Sequence, residues 1–270
     1  RWISLGPLSV QPSEVAKFAL VAALARFFGT DYAASQRSYR LRELWRPMVL
    51  IALPCALILE EPDLGTTLLL IIVAMSMILF AGVRWQSLAL MVGTFLSAAP
   101  FVWVNLAPYQ KRRILTFIKP DLDTLGSGYH INQSKIAIGS GQFWGKGYLE
   151  GTQTRLDFLP EQHTDFAFSV LAEEWGFVGS SLLLMVYLGL IIWAVNIAHN
   201  SRDRFGTFLA FGIAAVVFWQ VVINVSMTTG LLPVVGIPLV MFSYGGSSVV
   251  TTMASMGILM NISMRRFMFQ

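Results

Sequence analysis

Ionisable side chains gather where a long apolar run begins in the second half of the chain. Residues 159–166 read Leu-Pro-Glu-Gln-His-Thr-Asp-Phe, and the run that follows is apolar up to Ile197 except at Glu173 and Glu174. A carboxylate at the edge of a membrane span, or inside one, is costly unless it faces protein or water, so it is a functional candidate. Asp165, with His163 beside it, is therefore the first candidate for chemistry at a membrane surface.

Charged groups also stand where two earlier apolar runs begin. Glu14 and Lys17 are three residues apart, which places them on one face of a helix that Pro12 would begin. A helix-stabilising ion pair is the alternative to a role in a substrate cavity. Asp63 follows Pro62, which breaks a helix, and can cap the next helix or line a site.

Helix breakers interrupt the apolar sequence before the last run. Gly230–Pro238 is apolar but contains glycines and prolines, and non-helical backbone at membrane depth is tolerated where it lines a cavity or is buried by protein. We therefore expect a cavity wall there. Ser243 lies in the small-residue segment 243–248, where close helix packing is as good an interpretation as ligand contact.

The composition requires a membrane setting for these groups. Hydrophobic residues make up 55% of the chain and charged residues 13%, whereas about a quarter of a soluble domain is charged. A water-soluble fold is therefore excluded, and apolar runs are counted as spans of about 20 residues. The sequence predicts an all-α polytopic membrane protein with seven transmembrane helices near Val15–Gly29, Met48–Leu59, Leu64–Val83, Leu88–Leu106, Phe166–Ile197, Thr207–Met227 and Val240–Ile262.

Arginines fix the predicted orientation. They follow the first, third, fifth and seventh runs, and the positive-inside rule places those loops in the cytoplasm. The long segment 107–164 then lies outside, although it carries Lys111, Arg112, Arg113 and Lys135. Cations on the outer face indicate an anionic ligand, with attraction to anionic lipid headgroups as the alternative.

The segment 107–164 is too long for a passive connection. It is too apolar for a solvated linker, and Asn132–Ile138 is predicted to form a short helix on the bilayer surface. The glycines that follow, from Gly139 to Gly151, would let the backbone approach a ligand or another helix closely.

Five motifs occur in an order that is typical of one protein family. They are Gln11-Pro12-Ser13-Glu14 with Lys17, Glu61-Pro62-Asp63-Leu64-Gly65-Thr66, Gln133-Ser134 with Ile136-Ala137-Ile138-Gly139-Ser140-Gly141, Pro160-Glu161 with His163-Thr164-Asp165-Phe166, and Gly230-Leu231-Leu232-Pro233 through Ser243-Tyr244-Gly245-Gly246-Ser247. Together they resemble the SEDS proteins (shape, elongation, division and sporulation) over essentially the whole chain. Gly145-Lys146-Gly147 and Gly151-Thr152-Gln153-Thr154 are more similar to the rod-shape branch of that family than to its division branch.

The resemblance implies a peptidoglycan glycosyltransferase that polymerises lipid II for cell-wall growth and cell shape. It implies a place in the bacterial cytoplasmic (inner) membrane with the active site facing outward. The implied partners are lipid II, a class B penicillin-binding protein that crosslinks as a transpeptidase, and membrane lipids; no nucleic-acid partner is expected. Family members typically have ten spans, so residues 1–270 correspond to the C-terminal part of a single membrane domain, with about three spans missing ahead of Arg1.

The reaction determines which side chains are needed. A sugar hydroxyl must attack an anomeric carbon that carries a lipid pyrophosphate, so a carboxylate must accept the hydroxyl proton. On the pattern alone, Asp165 is better explained as an acid in the first turn of a helix capped by Thr164. The resemblance reverses this and assigns the base to Asp165, with Glu14 and Lys17 organising the cavity.

Cationic groups or a metal ion must stabilise the departing pyrophosphate. Lys111, Arg112 and Arg113 are the sequence candidates, with Lys17 and Lys135 as alternatives. His163 is expected to cap or pack, because the three histidines of the chain have no metal-ligand spacing. A divalent cation such as Mg²⁺ or Mn²⁺ would bind carboxylates and phosphate instead, and the sequence leaves the metal requirement open.

Two other functional classes fit several spans and broken helices. One is a transporter that flips lipid II, and the other is a non-catalytic activator of a penicillin-binding protein. A flippase needs polar residues along a path through the bilayer. Here the charges lie at the outer ends of spans, with Glu173 and Glu174 the deepest, and this favours chemistry at the surface.

Overall fold

The computed structural model describes residues 3–5, 8–31, 38–105, 108–118, 127–156, 158 and 164–265. Within these ranges the regular secondary structure is helical apart from a two-stranded antiparallel ribbon, β1 (Ile3–Leu5) and β2 (Leu8–Val10), and an isolated bridge between Tyr39 and Val83. The helices are α1 (Pro12–Thr30), α2 (Trp45–Glu60), α3 (Leu64–Ala81), α4 (Trp85–Asn105), α5 (Pro108–Ile118), α6 (Ser127–Ser140), α7 (Thr152–Arg155), α8 (Ala167–His199), α9 (Arg204–Thr228) and α10 (Gly246–Arg265).

Helices occupy all seven predicted spans, which confirms the all-α membrane architecture. Among the described helices, α3, α8, α9 and α10 are long and apolar enough to cross a membrane. Of the other three, α2 has 16 residues and α1 carries Glu14 and Lys17 in its first half. That α1, α2 and α4 also span the bilayer stays a prediction.

The chain folds as two compact units. The first comprises Arg1–Phe95, Gly189–Trp219 and Gly246–Gln270, and the second comprises Leu96–Leu188 and Gln220–Gly245. The prediction of one membrane domain over residues 1–270 is not tested by this division and stays a prediction.

In the first unit, α1 lies at the centre and packs against α2, α3 and α10. Its buried face carries Leu24 and Phe28, and Met77 of α3 and Ile213 of α9 are also fully buried in this unit. Ser247 at the start of α10 accepts a hydrogen bond from the main-chain N–H of Gln11 at 3.1 Å. The start of α1, which carries Glu14 and Lys17, is therefore fixed to α10.

Tyr39 packs against the C-terminal end of α1 in the same unit. Its N–H donates to the Gly82 carbonyl at 2.8 Å, and its ring packs edge-on against Phe28 with centroids 5.5 Å apart. Burial, followed by the charge of Asp31, raises the pKa of Tyr39 to about 12. The phenol therefore stays neutral in any physiological buffer and remains a packing group.

In the second unit, α6 is held between two other helices by buried hydroxyl groups. The helix predicted at Asn132–Ile138 is confirmed and extends over Ser127–Ser140; its position on the bilayer surface stays a prediction. The Ser134 hydroxyl donates to the Thr228 carbonyl of α9 at 2.6 Å and lies 2.6 Å from the Ser169 hydroxyl of α8. Because Ser134 and Ser169 are fully buried, these bonds are shielded from water and fix α6 firmly.

The predicted span Phe166–Ile197 differs from the structure at Gly176. This residue has φ 63° and ψ −158°, which interrupts α8 and separates residues 167–175 from residues 177–199. A helix that is interrupted there loses the bonds in which the N–H groups of Phe177 and Val178 would donate to the carbonyls of Glu173 and Glu174.

A loop formed by residues 141–150, here called the 141–150 loop, binds all four of these backbone groups. Phe177 and Val178 donate to the carbonyls of Gln142 and Phe143 at 2.9 and 3.2 Å. The carbonyls of Glu173 and Glu174 accept from Lys146 and Gly147 at 3.1 and 3.0 Å. The four groups that lose their helical partners are thus paired again, as a non-polar environment requires.

The Glu173 side chain reinforces the same contact. Its carboxylate is fully buried and accepts from Lys146 Nζ at 2.7 Å, the Gln153 N–H at 3.1 Å and Thr152 Oγ1 at 3.2 Å. The sequence had indicated Glu173 as one of the deepest charges of a single span. The structure instead pairs the Glu173 carboxylate with the outer loop, because α8 is interrupted three residues later, at Gly176.

A glycine is required where this loop meets α8. Gly145 has φ 83°, and a Cβ there would lie 2.1 Å from the carbonyl oxygen of Glu174. This oxygen belongs to the backbone and cannot rotate away. The predicted close approach of a glycine backbone to a helix is therefore confirmed.

We predict that Gly145→Ala lowers the melting temperature of the purified protein. The positive φ alone costs an alanine about 1–2 kcal/mol, and the overlap with the Glu174 carbonyl adds to that cost. Gly139→Ala is the matched control, since a Cβ there meets nothing within 4 Å and alanine suits a helix better by about 0.5–1 kcal/mol. Equal melting temperatures for the two variants in detergent would contradict the assigned packing.

Candidate active site

Asp165 lies in the turn of residues 164–166 that leads directly into α8, and it is partly exposed. Its main-chain carbonyl accepts a hydrogen bond from Asn224 Nδ2 at 2.9 Å. The same amide group donates to the Ile237 carbonyl at 2.8 Å, and Asn224 is fully buried in α9. One asparagine therefore fixes the backbone of Asp165, a partly exposed residue, to the non-helical segment that follows α9.

The predicted non-helical segment Gly230–Pro238 is confirmed and lies against Asp165. Gly236 has φ 72°, and a Cβ on this residue would lie 3.3 Å from Asp165 Oδ2. The bare backbone of Gly236 thus forms one wall beside the carboxylate. A side chain at position 236 would crowd the carboxylate. That the segment lines a cavity stays a prediction.

Lys135 and Ser243 contact the same segment from either end. A Cβ on Gly230 would lie 2.0 Å from Lys135 Cε and 2.6 Å from Lys135 Nζ, so the lysine stem packs on that glycine. Lys135 itself is exposed and offers a cation in the unit that holds Asp165. Ser243 is buried, and its Oγ accepts from the Leu239 N–H at 2.9 Å; it shapes the turn after the segment, and its predicted contact with a ligand stays a prediction.

The basic triplet Lys111, Arg112 and Arg113 lies on α5. Consecutive residues of a helix point about 100° apart, so Lys111 and Arg113 lie on nearly opposite faces of α5 and do not converge on one anion. Lys111 donates to the carbonyl of Val104 near the end of α4 at 2.9 Å, and Arg113 is partly exposed. The side chain of Arg112 lies outside the described part of the chain, and the role of all three in pyrophosphate binding stays a prediction.

Glu14 and Lys17 form a buried ion pair in the first unit. Lys17 Nζ lies 2.8 Å from Glu14 Oε1, and the two side chains are 3% and 6% exposed. Among the described residues, the second carboxylate oxygen of Glu14 and the hydroxyl of Ser13 have no hydrogen-bond partner. Ser13 also lines a cavity of about 550 Å³ between α1 and α2. A surface pair that only stabilised a helix would be exposed, so burial favours the predicted role in organising a cavity.

Asp63 caps α3. Its two carboxylate oxygens accept from the Thr66 N–H at 3.1 Å and from the Thr66 hydroxyl at 3.0 Å. The capping interpretation of Asp63 is therefore confirmed. A contact between Asp63 and substrate stays a prediction.

His163 lies outside the described residues, but the structure brings another histidine to the site. The ring of His130 on α6 packs against Phe166, with centroids 6.2 Å apart, and Phe166 follows Asp165. Sequence reasoning missed His130 because no spacing rule connects it to Asp165. It also missed Asn224, although a lone asparagine in an apolar helix is a signal for an interhelical hydrogen bond.

The described residues contain no group of three or more His, Cys, Asp or Glu side chains that could hold a metal ion by themselves. Mg²⁺ is usually bound by one or two carboxylates together with substrate phosphates. A divalent cation held by carboxylates and phosphate therefore stays a prediction.

Comparisons with known proteins show which family the chain belongs to. Residues 1–267 match the FtsW/RodA/SpoVE family, described as cell cycle proteins. The chain belongs to this family. It is 42% identical over 269 residues to the peptidoglycan glycosyltransferase MrdB of Escherichia coli K12, covering 99% of this chain and 72% of that protein.

Division-type and solved relatives agree with this assignment. The chain is 40% identical to the probable peptidoglycan glycosyltransferase FtsW of Trichlorobacter lovleyi, covering 97% of this chain and 68% of that protein. It superposes with a TM-score of 0.65 and 30% identity on Thermus thermophilus RodA, covering 98% of this chain and 69% of that one. The resemblance that the motifs predicted is confirmed, and the chain is a multi-pass membrane protein of this family.

We predict that Glu14 and Lys17 stabilise the protein as a coupled pair. Glu14→Gln or Lys17→Met alone should lower the free energy of unfolding by about 3–5 kcal/mol, because each leaves a buried charge unpaired. The double variant should cost less than the sum of the two, by about 0.5–3 kcal/mol. Unfolding measured in detergent for the four proteins provides the test, and additive losses would show that the two residues act separately.

We predict that Gly236→Ala slows glycan synthesis and also lowers the melting temperature, since its φ of 72° strains an alanine by about 1–2 kcal/mol. The added methyl group would lie 3.3 Å from Asp165 Oδ2 and would displace the carboxylate that is predicted to be the base. Gly246→Ala is the control, because a Cβ there meets nothing within 4 Å. The rate of polymerisation and the melting temperature should both be measured. Equal rates in the two variants would separate Gly236 from the active site.

Proposed function

We propose that the chain is a peptidoglycan glycosyltransferase that polymerises lipid II on the outer face of the bacterial cytoplasmic membrane. Family membership and the relatives named peptidoglycan glycosyltransferase support the activity. The structural observation that supports the site is the position of Asp165, which is partly exposed and whose backbone is fixed by Asn224 at the start of α8.

In the proposed reaction, Asp165 is the general base. The hydroxyl of one sugar attacks the anomeric carbon of another, its proton passes to the Asp165 carboxylate, and the bond to the lipid pyrophosphate breaks. The leaving group carries away the electron pair and the negative charge. A base in this role must hold its position, and the Asn224 amide together with the Gly236 backbone supplies that restraint.

Cations must compensate the charge of the departing pyrophosphate. Lys135 is the best-placed cation in the second unit, because its stem packs on Gly230 in the segment that also approaches Asp165. Lys135 is an exposed residue, as a contact with a phosphate from outside requires. Among the described cations we assign Lys135 this role ahead of Lys111 and Arg113, which lie on nearly opposite faces of α5.

The proposed partner is a class B penicillin-binding protein that crosslinks the strands. One solved relative, at 34% identity and a TM-score of 0.79, comes from work on the coordination of polymerisation and crosslinking by a peptidoglycan synthase complex. The match covers 99% of this chain and 74% of that one, so a comparable assembly is the natural expectation here. In it, the chain supplies polymerisation and the partner supplies crosslinking.

We predict that Asp165→Asn abolishes polymerisation and leaves folding intact. The amide keeps the shape of the side chain but cannot accept a proton, and loss of a general base typically costs about 10²–10⁴-fold in rate. The matched control is Glu150→Gln, which makes the same change from carboxylate to amide at an exposed position of the outer segment 107–164. This variant should retain activity. Lipid II binding by both variants should match that of the wild type.

The measurement is glycan length from purified full protein supplied with lipid II, alongside a melting curve for each variant. Near-normal glycan synthesis by a well-folded Asp165→Asn protein would remove Asp165 from the role of base. If Glu150→Gln lost as much activity as Asp165→Asn, the loss would come from neutralising a carboxylate near the outer surface and not from removing the base.

A further inference from the structure

The 141–150 loop exposes four large apolar or aromatic side chains. Phe143, Trp144, Tyr148 and Leu149 are 55%, 77%, 73% and 62% exposed. Soluble surfaces rarely present such a group together, and a contiguous apolar patch marks a surface that something else covers. The described residues of the second unit leave these side chains open.

The position of the loop along α8 indicates what covers it. Phe177 begins the second segment of α8, and residues 177–199 form a helix of roughly 35 Å, which is the length needed to cross the hydrocarbon core. The 141–150 loop is hydrogen-bonded to the N–H groups of Phe177 and Val178, and the Phe143 ring stacks on Phe177 with centroids 5.7 Å apart. The loop therefore lies at the level where this span enters the bilayer.

The side chains of the loop are of the types that proteins place at the membrane interface. Tryptophan and tyrosine concentrate at membrane interfaces, because their rings are apolar while the indole N–H and phenol O–H can reach water. The cation of the loop, Lys146, is bonded to Glu173, so its charge is already neutralised. The exposed apolar face of α8 continues from Phe177 to Leu182 and Met185, which gives the loop and the span one continuous lipid-facing surface.

From these observations we infer that the 141–150 loop is a membrane anchor, with Trp144 and Tyr148 inserted at the boundary between lipid headgroups and acyl chains of the outer leaflet. The occupant of the exposed surface is lipid. Through the four backbone bonds to α8 and the Glu173 carboxylate, the loop would hold the helix that follows Asp165 at a fixed depth. The anchor does not depend on the proposed glycosyltransferase activity.

The depth of the loop can be measured with a fluorescent label. In the full protein made cysteine-free, with Cys55→Ala, single cysteines are introduced as Trp144→Cys or Tyr148→Cys and labelled with bimane. The protein is placed in bilayers of phosphatidylglycerol and phosphatidylcholine that carry a spin label on the headgroup, on carbon 5 or on carbon 12 of the acyl chain. Two exposed positions provide the references: Ser38→Cys in a loop between helices, and Leu182→Cys inside the span.

We expect headgroup and carbon-5 labels to quench the probes at 144 and 148 at least about threefold more than the probe at 38, as befits interfacial aromatic positions. The carbon-12 label should quench them less than it quenches the probe at 182. The two labelled positions are independent, so one variant that fails to fold does not remove the test.

Two results would overturn the anchor. Quenching by lipid labels as weak as at position 38, with free access to aqueous iodide, would place the loop in water. Protection from both lipid-borne and aqueous quenchers would show that protein, such as a partner subunit or a second copy, covers the surface instead of lipid.

Discussion

Backbone polar groups in or near a bilayer must be paired within the protein, because the hydrocarbon offers them no partner. The interruption of α8 at Gly176 meets this constraint through a second piece of chain: the four groups that lose their helical partners are bound by residues 142, 143, 146 and 147. The break is therefore a junction between the outer loop and a span. The glycine at 145 and the buried carboxylate at 173 follow from the same requirement for close, fully paired contact.

This junction contributes to holding Asp165, the residue that we propose as the base. Asp165 lies immediately ahead of the first segment of α8, and the 141–150 loop binds the last turn of that segment. Asn224 binds the main chain of Asp165, and the Gly236 backbone lies beside its carboxylate. A general base at a membrane surface needs a fixed position of this kind.

Much of the fold could be predicted, because the length of the apolar runs and the local residues that begin, cap or break helices determine where the helices lie. The seven runs became helices, Asn132–Ile138 lies within α6, Pro12 begins α1 and Asp63 caps α3. The break at Gly176 could not be predicted, since an isolated glycine in an apolar pattern is usually tolerated in a helix. The partners that stabilise it, such as Lys146 for Glu173, lie 27 positions away, and periodicity carries no information about contacts over that separation. For the same reason Asn224 and Gly236 were not recognised as neighbours of Asp165.

Polymerisation at the outer surface can be tested with the purified full protein in liposomes. Fluorescent lipid II is added only to the leaflet that faces the 107–164 segment, and both glycan length and the movement of lipid II across the bilayer are followed. We expect long glycan strands to form from lipid II that never crosses the membrane. Transfer of lipid II to the opposite leaflet with no polymer formed would contradict it and identify a transporter instead.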